Sequence, residues 1–300
     1  MTEPALARAK PLLGTMVEIR ASHGDAIALQ TAVTAAFDAV TRVHRLMSVH
    51  EPSSDLSRIN AAPPTSAVIV SNETAEVLAF ALALAGQSEG LFDPTMGGAH
   101  SARGWLPAPQ RRPDADASWV DVELVANTVR CHRALLLDFG GIGKGYAVDC
   151  AMNVLLAAGC THILINAGGD IRCHTPQAER IHARLADGSL VAALDLTDGA
   201  VASSCFAEST STDETVISRL TNPNTRQAVM VNASIMVLAA DCMTADALTK
   251  LVALALAPEQ VTPLLQTYAA EALWLEPTIA GVKVQRLPAC GSSEAHVQNP

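Results

Sequence analysis

Residues 137–149 read LDFGGIGKGYAVD. Four glycines, Gly140, Gly141, Gly143 and Gly145, surround Lys144. The apolar run ALLLD predicts a strand ending at Asp138, and the glycines let a ligand approach the backbone closely. A helix is predicted from about Lys144 to Ala158, with Gly159 as its stop. The first N–H groups of that helix, together with Lys144, favour an anion. A plain tight strand-to-helix turn with Lys144 in solvent accounts for the same residues. The stretch matches neither common phosphate fingerprint. A P-loop needs Ser or Thr after its lysine, where this chain has Gly145, and a dinucleotide loop needs glycine where it has Tyr146.

Upstream, residues 11–20 read as a strand containing Met16, Val17 and Ile19. Asp25 then caps a helix whose stripe is Leu29, Val33, Phe37, Val40, Val43 and Met47. MSVHEPSSDLSRIN (47–60) reads as a polar loop, and Asn72 as the cap of a second helix running from Glu73 to about Gln87. SEGLFDPTMGG (88–98) is irregular, and 99–118 a long surface loop. VDVEL and TVRCH predict a hairpin through Ala126-Asn127. Downstream, strands are expected at 162–166, 181–186, 190–195, 227–232 and 234–239, with a helix capped by Thr244 and ending before Pro258. EALWLE and VKVQRL predict a closing hairpin around Gly281. Strands and helices mix without regular alternation, which predicts an α+β fold of largely antiparallel sheets with packed helices. The expected organisation is a tail at 1–10, one domain over 11–290, and a tail at 291–300.

The chain has 300 residues, 49% of them hydrophobic, enough for a sizeable core. Thirty acidic residues against 20 basic ones give no sign of the basic excess a nucleic-acid binder usually carries. The seven cysteines include no CxxC pair, which argues against a zinc site or a disulfide framework. The start lacks the apolar core of a signal peptide, and no apolar run is long enough for a membrane span. A cytoplasmic protein is expected, or a periplasmic one if a signal has been removed.

Further candidates for chemistry lie along the chain. In INAGGDIR (165–172), Asp170 either hydrogen-bonds a ribose or an adenine amine, or closes a turn. In SEGLFDP, Phe92 either stacks on an aromatic ligand or anchors the core. Asp93 either accepts hydrogen bonds from that ligand or forms a turn before Pro94. In TADALTKLVAL, Asp246 and Thr249 lie on one helix face, where a carboxylate and a hydroxyl suit a hard cation such as Mg²⁺. Asp246 serves equally as a first-turn acid favoured by the helix dipole. The nine histidines show no metal spacing.

LLGTMVEI, MSVHEPSSDLSRIN, SEGLFDPT, LDFGGIGKGYAVD, INAGGDIR, AVASS and ADALTK occur in that order. Together they resemble the ApbE family of FAD:protein FMN transferases, from about residue 11 to about 286. The resemblance implies an ApbE-like fold that binds FAD with magnesium. It implies transfer of the FMN half to a threonine of an acceptor flavoprotein, with release of AMP. It places Leu13 beside the flavin and His50 against FAD. Leu91, Phe92 and Asp93 line the nucleotide, and Asp138, Lys144 and Leu220 also contact FAD. It assigns magnesium to the Gly141 carbonyl, Asp246 and Thr249. The variant Asp246→Ala is expected to have weakened metal-dependent activity and to keep its fold.

The chain departs from the family pattern in two places. SRLTNPNTRQ (218–227) carries Arg219 where many members have His before an Asp-Pro-Arg-Thr-Gly segment, and Arg stays protonated. Lys250 stands where many members have Thr, ending ADALST. Its ammonium either replaces part of a cation's charge or points to solvent. Two alternatives accompany transfer: hydrolysis of FAD to FMN and AMP, and FAD binding without catalysis.

Overall fold

A computed structural model describes residues 3–185, 188–205, 209–211, 214–216, 220–278 and 281–287. By contact density the chain forms two compact units. Unit 1 takes Met1–Thr41, Lys144–Ser218 and Met230–Pro300; unit 2 takes Arg42–Gly143 and Arg219–Val229.

Unit 1 is built on an eight-stranded sheet in the order β1-β2-β6-β7-β8-β11-β12-β13, antiparallel throughout. Its strands are β1 (Ala5–Leu12), β2 (Thr15–Ser22), β6 (Thr161–Ala167), β7 (Asp170–Arg184), β8 (Leu190–Cys205), β11 (Ser234–Ala239), β12 (Glu271–Thr278) and β13 (Gly281–Leu287). Two-residue side-chain alternation gives the sheet two faces. Leu164, Cys173, Val201, Met236 and Leu273 belong to one buried cluster. The other face carries Val17, Ile19, Ile163 and Ile165, all fully buried. Helices α5 (Gly143–Ala157) and α6 (Cys242–Leu254) supply further buried side chains, and α7 (Thr262–Thr267) leads into β12. A short ribbon pairs β9 (Ser209–Ser211) with β10 (Glu214–Val216).

The helix α1 (Ala26–Met47) buries every residue of its predicted stripe, and Asp25 Oδ1 accepts from the N–H groups of Ile27 and Ala28 at 2.7 and 3.2 Å. The segment expected as an N-terminal tail is largely β1. Arg8 reaches Thr34 Oγ1 at 3.3 Å, and Lys10 Nζ lies 4.7 Å from the centre of the Phe37 ring, so β1 runs along α1. The strands expected at 181–186 and 190–195 are the ends of a much longer hairpin. Register shifts between His174 and Glu179 and between Ile181 and His182 blur its apolar alternation.

Unit 2 contains a three-stranded sheet in the order β3-β5-β4, with β3 (Val68–Ile69), β4 (Val122–Val125) and β5 (Thr128–Cys131). It also holds α2 (Asp55–Ala61), α3 (Asn72–Gln87) and α4 (Gly97–Ala102). The sequence reading placed α2 in a loop. Ser54 Oγ instead caps it by accepting from Ser57 N–H at 2.9 Å, and Leu56 and Ile59 bury its inner side. The cap of α3 is Ser71 rather than Asn72.

ALLLD does not form a regular strand. Leu136 makes one bridge to Met96, and Asn60 clamps Leu137, accepting from its N–H at 2.8 Å and donating to its carbonyl at 2.9 Å. A side chain thus supplies the partners a neighbouring strand would have offered. The strand expected at 227–232 reduces to a bridge between Thr221 and Ala228. There Asn222 Oδ1 accepts from the N–H groups of Asn224 and Thr225, so turn chemistry overrides the apolar run. Arg219 and the expected tail at 291–300 lie outside the described residues.

No helix among the described residues is long and apolar enough to cross a membrane. No disulfide forms among the described cysteines.

Candidate functional site

The register of unit 1 determines where Asp170 points. It opposes Ala167 on β6 and Ala202 on β8, so it shares a face with Ile165 and Ser204. Ser204 Oγ lies 3.0 Å from Thr249 Oγ1, which puts α6 on that face. The turn before Asp170 is Gly168-Gly169, with φ of +66° and +102°. Cβ atoms there would meet the hydroxyl oxygens of Thr15 and Ser203 at 2.4 and 2.6 Å, so glycine fits both the turn and the space.

On this face two sequence motifs meet. Lys144 Nζ pairs with Asp170 Oδ2 and lies 3.3 Å from Asp246 Oδ2. The Gly145 N–H also donates to Asp246 Oδ2, at 3.3 Å. Lys250, one helical turn beyond Asp246, pairs with its Oδ1 and donates to its backbone carbonyl at 2.9 Å. Thr249 Oγ1 donates to that same carbonyl at 2.7 Å. Asp246 has no exposed surface. The sequence reading made it a ligand outside the core, whereas the structure makes it the buried centre of a four-charge network.

Close approach of the two helices makes this possible. A Cβ on Gly145 would sit 2.2 Å from the carbonyl oxygen of Cys242. Asp149, one turn further along α5, accepts from the N–H groups of Cys242 and Met243 at 2.9 and 2.8 Å. These are unpaired donors at the start of α6, so α5 caps α6 from outside. The cap within α6's own chain is Asp241, which accepts from Thr244 N–H at 2.8 Å. Thr244, the expected cap, is already inside the helix.

Electrostatics follow from burial and pairing. Burial works against charge on Asp246, but Lys144 and Lys250 hold its carboxyl down to about 2. Burial and the Asp246 charge push Asp170 up to about 6, against the pull of Lys144. Burial opposes the Lys144 ammonium, but Asp246 and Asp170 outweigh it and raise its pKa. Burial pushes Asp149 up to about 6 despite its two backbone hydrogen bonds.

The other predicted residue of unit 1, Leu13, sits at the β1–β2 turn with φ of +56°. Unit 2 holds His50, Leu91, Phe92, Asp93, Asp138, Gly141 and Leu220. His50 is exposed, whereas Phe92 and Leu220 are buried. Asp93 Oδ1 accepts from the Thr95 N–H and hydroxyl at 2.8 and 2.7 Å, forming the turn before and after Pro94. Asp138 Oδ2 lies 2.7 Å from His100 Nδ1, and its Oδ1 accepts from Gly140 N–H at 2.8 Å. His100 and Asp149 are partners the sequence reading did not assign, and Lys250, read as either replacing part of a cation's charge or pointing to solvent, pairs with Asp246.

The fold is shared with solved flavin transferases. The flavin transferase ApbE from Vibrio cholerae superposes with a TM-score of 0.77 over 95% of this chain and 97% of that one, at 24% identity. The sequence profile described as the ApbE family matches residues 13–274, and the chain belongs to that family. A FAD:protein FMN transferase of Vibrio cholerae is 27% identical over 263 residues, covering 79% of this chain and 78% of that protein. One from Chlamydia pneumoniae is 32% identical over 179 residues, covering 54% of this chain. The match spans only 55% of the Chlamydia protein's length.

Proposed function

We propose that this chain is a FAD:protein FMN transferase acting on a threonine of an acceptor flavoprotein. One observation carries the reading. In a member of the ApbE family, the ion pair between Lys144 and Asp246 joins the glycine stretch to the late helix, 102 residues apart. The resemblance assigns the first of these motifs to FAD and the second to magnesium. Because the profile runs through both units, residues 11–290 are treated as one functional domain. The FAD contacts are assigned to Leu13, His50, Leu91, Phe92, Asp93, Asp138, Lys144 and Leu220.

In the reaction, the threonine Oγ forms a bond to the phosphorus of the FMN half. The bond from that phosphorus to the bridging oxygen breaks, that oxygen leaves with AMP, and the hydroxyl proton passes to solvent or to the departing AMP phosphate. The protein's main task is to hold the hydroxyl in line with phosphorus and to set positive charge near the departing oxygen.

The resemblance also implies magnesium on Gly141, Asp246 and Thr249. The arrangement within unit 1 does not fit an ion at Asp246. Lys144 and Gly145 take Oδ2, Lys250 takes Oδ1, and the Thr249 hydroxyl is turned to the Asp246 carbonyl.

The test is incubation with FAD and an acceptor flavoprotein carrying a threonine target, followed by intact-mass measurement and chromatography for AMP. Acceptor mass rising by one FMN group, with equimolar AMP, is expected. FMN and AMP formed without acceptor labelling would replace transfer by hydrolysis. FAD bound but unchanged would leave a binding module.

A further inference from the structure

We infer that Lys250 is a built-in cation: its ammonium takes the place on Asp246 that the family resemblance gives to a divalent metal ion. Asp246 is fully buried, and its two carboxylate oxygens have separate partners. Oδ2 is met by Lys144 and by the Gly145 N–H. Oδ1 is met by Lys250, which also donates to the Asp246 carbonyl at 2.9 Å. One ammonium thus spans a carboxylate oxygen and a backbone carbonyl of the same residue, an oxygen pair that suits a hard cation.

The i,i+4 spacing brings a lysine to this point without distorting the helix. Threonine at position 250 would bring a hydroxyl and no charge, leaving Lys144 to face the buried carboxylates of both Asp246 and Asp170. A buried carboxylate in that state calls for a cation from elsewhere. An ammonium is a compact point charge, so it meets that need from within the chain. The position of Lys250 stands on this geometry. Only the use of its charge in FMN transfer rests on the transferase reading.

The experiment titrates the purified full chain, without FAD, with Mn²⁺ followed by electron paramagnetic resonance. Wild type, Lys250→Thr, Lys250→Ala, Lys250→Arg and the double variant Lys250→Thr/Asp246→Asn are compared, each checked for native melting. Lys250→Thr or Lys250→Ala is expected to bind one Mn²⁺ on the order of tenfold or more tighter than wild type. Lys250→Arg is expected to behave as wild type, and the double variant to lose the gained site. Equal Mn²⁺ binding by wild type and both uncharged variants, or a gained site that survives in the double variant, would overturn the inference. A parallel assay follows AMP release from FAD and acceptor in EDTA. Wild type is expected to keep its rate, while Lys250→Thr needs added Mg²⁺. Loss of wild-type release in EDTA, restored by Mg²⁺, would also overturn the inference. If wild type releases no AMP under any condition, the transferase reading fails and the Mn²⁺ titration still decides the role of Lys250.

Discussion

Gly145 passes so close to Cys242 that a Cβ on the glycine would stand 2.2 Å from the carbonyl oxygen and 2.6 Å from the carbonyl carbon. The obstacle is backbone at the start of α6, which cannot rotate aside like a side chain. Gly145→Ala should therefore push the helices apart. The expected cost is about 1–3 kcal/mol or more, with a larger fall in FMN transfer because Lys144 and Asp246 separate. Urea unfolding and the acceptor assay check both. An alanine variant with wild-type stability would show that α5 and α6 are not held this closely.

Asp149 gives a pH dependence whose sign is fixed. Its carboxyl moves from an ordinary value of 3.8 to about 6 in the folded chain, chiefly through burial. The folded state therefore holds the proton more tightly. The stability from this group is fully present below pH 3.8 and is lost as pH rises through about 6. The whole swing is at most about 3 kcal/mol. Asp149→Asn cannot titrate, so it should lose less stability than wild type between pH 4 and 7. Parallel unfolding profiles for the two proteins would count against this assignment.

Asp246→Ala should destabilise the protein as well as impair activity. Removing the carboxylate leaves Lys250 without its acid, and Lys144 with Asp170 alone. Breaking a buried pair costs about 3–5 kcal/mol. Both lysines keep some exposure, 30% for the Lys144 side chain and 18% for Lys250, which brings the expectation to about 2–3 kcal/mol. Thermal melting in matched buffers tests this, and an unchanged midpoint would mean the network adds no stability.

Asp55 predicts an acid-sensitive unit 2. Its Oδ2 accepts from Ser71 N–H at 2.8 Å, Ser71 Oγ at 2.6 Å and Thr74 Oγ1 at 2.9 Å, while Arg58 pairs with Oδ1. Burial pushes this carboxyl up, but the hydrogen bonds outweigh it and hold it below 3.8. Its stabilisation is present above pH 3.8 and is lost as pH falls through the lower folded value. Asp55→Ala should cost about 2–4 kcal/mol at neutral pH and shrink the acid transition. Hydrogen exchange of α2 and α3 locates the effect; protection unchanged in both helices would refute it.

Much of the fold was legible where one residue pattern sufficed. The six-residue stripe of α1, its Asp25 cap and the closing hairpin around Gly281 follow from local periodicity and turn chemistry. What failed depended on distant partners. Leu137 looks like strand until Asn60, 77 residues away, satisfies its backbone. DLSRIN looks like loop because its buried positions are only Asp55, Leu56 and Ile59. Within the candidate site, Lys144 and Asp246 were visible as motif residues. The ring of partners around them was not, because it needs the register that turns Asp170 toward the helices and the gap at Gly145.

The Asp149 cap has a consequence for synthesis. Cys242 and Met243 follow their acceptor by 93 and 94 residues. While a ribosome is making the intervening hairpins, the acid waits without its donors and α6 does not yet exist. Contacts of such long separation pay chain-closure entropy late and slow folding. The pocketed charges of this protein are therefore assembled only after α6 has been made, and a nascent chain halted before residue 242 carries Lys144 and Asp170 without the acid that completes them.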